Sequence, residues 1–337
     1  MKLLKIFLFL IITPFIQAQN QKTATYIIAQ ANFKVDSHYG YITVVDARKE
    51  KSNCGTVLVG GIKAYQALVK TSVNIDKQIE GVFRSINSQI NKSNDTLLIK
   101  LNQFKFNEYQ LPLSVVGEFN FYADVFAKKD GKYAKIRSID TTHIVKNGNV
   151  QEKIFQESSL FIHNFIKNEI TKSIQPVYEL SYEDVLNIED IEKKRIPLFN
   201  QEKLIDGFFL NYQAFSKQIP DNKNFRVNRN GKGEFKNIEY KTDRGEYLKI
   251  DTKKLYAFIE NGKPYLIVNK RCVEIEKLNN DFGFKQIVSS NYNVDMGGMF
   301  GVTGALISSA LSNPNEVKEQ FVTINYLSGN LQVSTIK

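Results

Sequence analysis

An α+β fold is predicted, with an antiparallel-rich sheet and two amphipathic helices in the first half and a β-rich meander carrying one Gly-rich apolar helix in the second. Three observations predict it. Two segments repeat apolar residues at steps of three and four, the period of a helix with one buried face. Three long β-branched and aromatic runs lie between those segments, two of them joined by the tight-turn dipeptide Asp130-Gly131. The second half alternates short strand-like runs with Gly-containing turns.

In chain order, residues 39–46 ("YGYITVVD") read as a strand, and two short strands surround Gly60-Gly61. The first helix spans residues 74–91, its face made by Ile75, Ile79, Val82, Phe83, Ile86 and Ile90, with Asp76 at the positive end of its dipole. Strands are expected over 96–109, 113–128 and 132–145. Asn149 then caps a second helix, with Glu152 at the third position and Ile154, Phe155, Phe161, Ile162, Phe165, Ile166 and Ile170 on its apolar face; His163 is expected to face solvent. Together these define an α+β domain over 19–175.

A charged connector follows at 176–200, with one short helix capped by Ser181 and Asp184. The β-rich domain occupies 201–337. Its strongest local signal is Asn261-Gly262 between two alternating strands, and a last hairpin turns about Ser328-Gly329-Asn330. Within it, residues 296–312 form the Gly-rich apolar helix. Gly297, Gly301, Ala305 and Ser309 fall on one helical row, beside Gly304 and Ser308. Such a bare face lets another backbone approach closely, so these six residues are candidate interaction positions. The partner is the protein's own sheet, an envelope protein, a second copy or a membrane surface. At about 24 Å the helix is short of the roughly 30 Å hydrocarbon core.

Residues 1–18 read as a signal peptide: Lys2 and Lys5, an apolar run from Ile6 to Ile12, then Pro14 and a small residue at Ala18. The expected location is therefore exported: periplasm, cell surface or extracellular. Without Lys2 and Lys5 the formal charge falls from +10 to +8, mild and interspersed. The clustered basic stripe that phosphate neutralisation requires is missing, which excludes a nucleic-acid partner. Two cysteines, Cys54 and Cys272, exclude a disulfide-dense scaffold and leave two thiols or one bridge open.

Chemical motifs are few. His38, His143 and His163 lack metal-ligand spacing, and no HExxH, Cys-x-x-Cys, P-loop or G-x-S-x-G is present. Residues 222–234 fail the calcium-loop pattern, since Arg226 or Lys232 would occupy ligand positions. No cofactor or metal is expected. Asp140 and His143 form a D-x-x-H that reads as structural or exposed. Cys54 sits in a basic loop near Lys49 and Lys51, weak support for a reactive thiol. Asp46, with Arg48 two residues on, is the most site-like charged group, although a strand-end ion pair explains it better.

The stretch YITVVDARKEKSNCG, with its D-x-R and following Gly, then the 74–91 helix, resembles the α/β domain of small envelope auxiliary lipoproteins and their curli-secretion-like relatives. The whole pattern, with DGFFLNYQAF, LYAFIENGKPYLIV and the Gly-rich helix, is similar to uncharacterised secreted Bacteroidetes proteins. The resemblance implies an envelope location and no known catalytic residues. The chain departs from the lipoprotein pattern in lacking a cysteine after its apolar run. The expected function is a non-enzymatic, envelope-associated binding or assembly protein. The alternative is an exported hydrolase acting on glycan or another envelope polymer.

Overall fold

The computed structural model describes residues 22–60, 64–88, 93–111, 114–146, 148–172, 177–268, 271–278, 280–289 and 317–334. The expected signal peptide and the Gly-rich helix, with Gly297, Gly301, Gly304, Ala305, Ser308 and Ser309, lie outside the described residues.

The fold is α+β and mostly sheet. The first half contains β1 (Thr23–Tyr26), β2 (Tyr41–Asp46), β3 (Gly55–Val59), β4 (Tyr65–Thr71), α1 (Ile75–Ile86), β5 (Thr96–Leu111), β6 (Ser114–Lys129), β7 (Lys132–Lys146) and α2 (Val150–Ile170). Its sheet runs β1-β4-β3-β5-β6-β7, with β2 also on β5. The sheet is mixed: β1–β4, β2–β5 and β3–β5 are parallel, whereas β5–β6–β7 is antiparallel. Asp130 (φ 50) and Gly131 (φ 79) both take the left-handed conformation that a two-residue hairpin turn demands. Asn149 accepts from the Glu152 N–H and donates to its carboxylate at 2.8 Å, closing the expected cap of α2.

Both helices lie on one face. Ile79 and Phe83 of α1 and Ile162, Phe165 and Ile166 of α2 join Leu97, Ile99, Leu101, Phe104, Phe106, Phe119 and Phe121 in the main core. Each such side chain contributes roughly 1.5–3 kcal/mol by leaving water. His163 corrects the sequence expectation. It is buried, and its Nε2 lies 2.7 Å from the Ala29 carbonyl. The reason is the segment after β1, which crosses the outer flank of α2: Ala29 N–H donates to Ser159 Oγ, and Phe33 meets the His163 ring edge-on.

The connector also differs from its expected single helix. It breaks at Asn187 (φ −101, ψ 17) into α3 (Tyr182–Leu186) and α4 (Ile188–Lys193), followed by α5 (Pro197–Asn200). Ser181 and Asp184 do form a reciprocal capping box. Val185 and Ile188 pack on Leu98, Phe126 and Tyr133, a cluster separate from the helix-covered core.

The second half adds β8 (Gly207–Phe209), α6 (Tyr212–Ser216), β9 (Phe225–Arg229), β10 (Phe235–Lys241), β11 (Tyr247–Lys249), β12 (Ala257–Glu260), β13 (Lys263–Val268), β14 (Arg271–Glu274), β15 (Glu276–Leu278), β16 (Asp281–Ser289), β17 (Val317–Ile324) and β18 (Leu331–Ser334). They form three small sheets, β11-β10-β9, β14-β13-β12-β8 and β15-β16-β17-β18. Asn261 (φ 53) and Gly262 (φ 75) make the β12–β13 turn, and the Asp206 carboxylate accepts from both their N–H groups. Phe258 stacks between Phe235 and Tyr265, so these aromatics are core. Among the described residues no helix is long and apolar enough to cross a membrane. Ser289 and Val317 pair at the end of the β16–β17 ladder.

Candidate functional site

The site originates in a break on β5. Apolar residues facing the helices fall at Leu97, Ile99 and Leu101, then at Phe104 and Phe106. That change of parity is a bulge: the β5–β6 register shifts between Leu101 and Gln103. At the same place the neighbour on the other edge changes. β2 pairs with β5 up to Asp46↔Leu101, and β3 takes over only at Gly55↔Phe106. Residues 102–105 therefore have no strand partner on that edge among the described residues.

The loop between β2 and β3 rims this gap. Arg48 is buried and grips Asp46 twice, Nε to Oδ1 and Nη2 to Oδ2, both at 2.9 Å. Its Nη1 also donates to the Asn53 carbonyl and approaches Cys54 Sγ, both at 3.3 Å. The Asp46–Arg48 pair thus ties the loop to the strand end. Arg48 lines the gap with its guanidinium already spent. Cys54 packs in the main core, and burial pushes its thiol pKa up despite Arg48, the opposite of an activated thiol. Cys54 and Cys272 are both free thiols.

Gly55 (φ 93) begins β3. A Cβ there would fall 1.9 Å from the Phe106 carbonyl oxygen and 3.0 Å from Lys105 Cγ. Glycine is what lets the strand return to β5 and the Lys105 stem lie across it.

The facing wall comes from the second half. Asp281, Thr323, Ile324, Asn325, Tyr326 and Gln332 stand opposite Asn102, Gln103, Lys105, Asn107 and Tyr122, with Glu189 to one side, and enclose a cleft of about 420 Å³. Polar contacts pin the walls together. Tyr122 and Tyr326 hydroxyls lie 3.2 Å apart, and Tyr326 donates to Glu192 at 2.8 Å. Glu192 binds Lys135, which also pairs with the fully buried Asp124 at 3.1 Å. Asn325 and Ser328 donate to Asp140 at 2.9 and 3.1 Å. Lys193 Nζ holds Glu189 and Asp281 at 2.6 and 2.5 Å. Burial works against the Lys193 charge, but the two carboxylates outweigh it and raise its pKa.

Against this framework a few lining side chains are unspent. Gln103, Gln332, Thr56 and Lys105 make no side-chain hydrogen bond or ion pair with any described residue. The sequence reading did not single them out. The available signal was the parity change from Leu101 to Phe104 in LIKLNQFKF.

No family model matches this chain, and no curated protein matches it. Among solved structures it is similar to the crystal structure of protein XCC0632 from Xanthomonas campestris, described by the family model DUF330. The TM-score is 0.31 and the identity 9%, over 50% of this chain and 99% of that chain. A likeness at that score carries nothing about the site.

The other sequence candidates lie elsewhere. Asp140 and His143 do not meet. They sit three apart on β7 and so face opposite sides of the sheet: Asp140 turns to Asn325, and the His143 ring lies 4.6 Å from that of Phe161, on α2. No group of three or more His, Cys, Asp or Glu side chains suited to a metal occurs among the described residues.

Proposed function

We propose that the protein is an exported, non-enzymatic binding or assembly protein of the cell envelope that holds its ligand in the cleft between its two halves. The observation that carries this reading is the set of unspent hydrogen-bonding side chains, Gln103, Thr56 and Gln332, on facing walls of a cleft where Arg48, Glu50, Asn102, Tyr122, Glu189, Asp281, Asn325 and Tyr326 already have partners. A cavity of about 420 Å³ falls in the range of small-ligand sites. Export rests on the signal-like residues 1–18. Residues 296–312 supply the assembly side of the proposal, meeting an envelope protein, a second copy or a membrane surface through their small-residue face.

A hydrolase acting on glycan or another envelope polymer is the second reading, and one observation favours it. Glu189 and Asp281 line the same cleft and share Lys193, which sets their nearest oxygens within about 5 Å, near the spacing of a retaining pair. The ammonium between them tells against it: each carboxylate is committed to Lys193, whereas glycoside hydrolysis needs one carboxyl to carry a proton.

Retention of the purified protein on isolated cell-envelope polymer tests the first reading. Saturable retention is expected, weakened at least about tenfold by the double substitution Gln103→Ala/Gln332→Ala, with no release of reducing ends. Retention indifferent to that substitution contradicts the cleft, and release of reducing ends contradicts a non-enzymatic role.

A further inference from the structure

The cleft also carries information about the charge of its ligand, and the inference rests on the binding reading above. Each acidic group that lines it already has a partner. Glu50 accepts from Ser52 N–H and Oγ. Glu189 and Asp281 are held by Lys193. Of the cations inside, Arg48 is saturated by Asp46, the Asn53 carbonyl and Cys54. Lys105 is different. Its stem is laid across Gly55, and its ammonium makes no ion pair among the described residues, with the Glu50 carboxylate acting on it only from longer range. Lys105 is exposed, on the edge of the cleft it lines.

Around that cation stand Gln103, Gln332 and Thr56, each offering both a donor and an acceptor. Hydroxyl groups need that combination, since each both gives and receives a hydrogen bond. We propose that the cleft binds an acidic saccharide, with its anionic group on Lys105 and its hydroxyls on Gln103, Thr56 and Gln332. Burial lowers the Lys105 pKa, and an arriving anion would offset that cost. Lys49 at the rim adds a second positive charge to draw the anion in.

Calorimetric titration of the purified protein tests this, with an oligogalacturonate, a neutral oligosaccharide of equal length and a sugar phosphate as probes. An acidic probe is expected to bind at least about tenfold more tightly than the neutral one, with a preference that shrinks as salt rises. Whether carboxylate or phosphate binds better identifies the anion. Lys105→Gln should abolish the preference and leave the melting temperature unchanged. Equal binding of acidic and neutral probes, or a preference that survives Lys105→Gln, overturns the role of Lys105 while leaving the cleft as a binding site. If no probe binds but Gln103→Ala/Gln332→Ala still releases the protein from envelope polymer, the saccharide inference fails and the binding reading stands.

Discussion

The two faces of the first sheet are built from the same strands to opposite ends. Along β6, Phe119, Phe121, Ala123 and Val125 face the helices, and Glu118, Asn120, Tyr122 and Asp124 alternate with them. Both sets are buried. The helix-side face is a lattice of aromatic edge-to-face contacts, with Phe104 touching the rings of Tyr26, Phe106, Phe119 and Phe121. The other face is a polar network, closed by the second half and left open at one place, the cleft. The difference teaches where each function resides: apolar packing supplies stability, and the polar face ties the halves together and keeps unspent donors for a ligand.

Truncation on the apolar face should do the most damage. Phe104→Ala is expected to cost about 3–5 kcal/mol in urea unfolding, because the cavity lies in rigid aromatic packing. Asp124→Ala, on the polar face, is the next largest effect. It leaves Lys135 with Glu192 alone and strands Asn102 and Ser138 beside a fully buried position, and a loss of about 3 kcal/mol is expected. If Asp124→Ala were neutral, the polar face would be no more than a solvated surface, and the comparison would break.

The last effect reaches a similar size only at high pH, and it is a gain with a defined pH window. Burial pushes the Glu118 carboxyl up from 4.5 to about 7. Tyr109 donates to its Oε1 at 2.6 Å, while Oε2 is buried without a partner, as are Asn107 Nδ2 and Asn120 Nδ2 nearby. Between pH 4.5 and about 7 the folded protein keeps a proton that the unfolded chain releases, so stability falls as pH rises through that window and then levels off. Burial raises Glu108 to about 7 as well, and it adds to the same slope. Glu118→Gln should therefore leave the unfolding free energy unchanged at pH 4, raise it at pH 8 by up to about 3 kcal/mol, and roughly halve its pH dependence. An unaltered pH profile in the variant would place the titration elsewhere.

Much of this architecture was legible in the sequence. The 3.6-residue pattern located α1 and α2, Asp130-Gly131 and Asn261-Gly262 fixed two hairpins, and Asn149 with Glu152 marked a helix start. These are local signals, each set by a few neighbouring side chains. What needed the fold was long-range. β1 and the segment after it gave no periodic pattern, so the burial of His163 was missed. Alternation in EFNFYADVFA gives no sign of what covers its polar side, and the connector helices together with the second half, some two hundred residues on, bury it. The cleft was harder still. Asp46 and Arg48 attracted notice because charges close in sequence suggest a site, yet they satisfy each other. Lys105 and Gln332 are joined by no sequence signal.

The central claim is that both walls of the cleft hold one ligand. The side-chain amide resonances of Gln103 and Gln332 report on it directly during titration with soluble envelope-polymer fragments. Both are predicted to shift together along one saturating curve, while those of Asn120, buried under the same face, stay fixed. Shifts confined to one wall, or a binding curve that leaves both glutamines unmoved, would contradict the account.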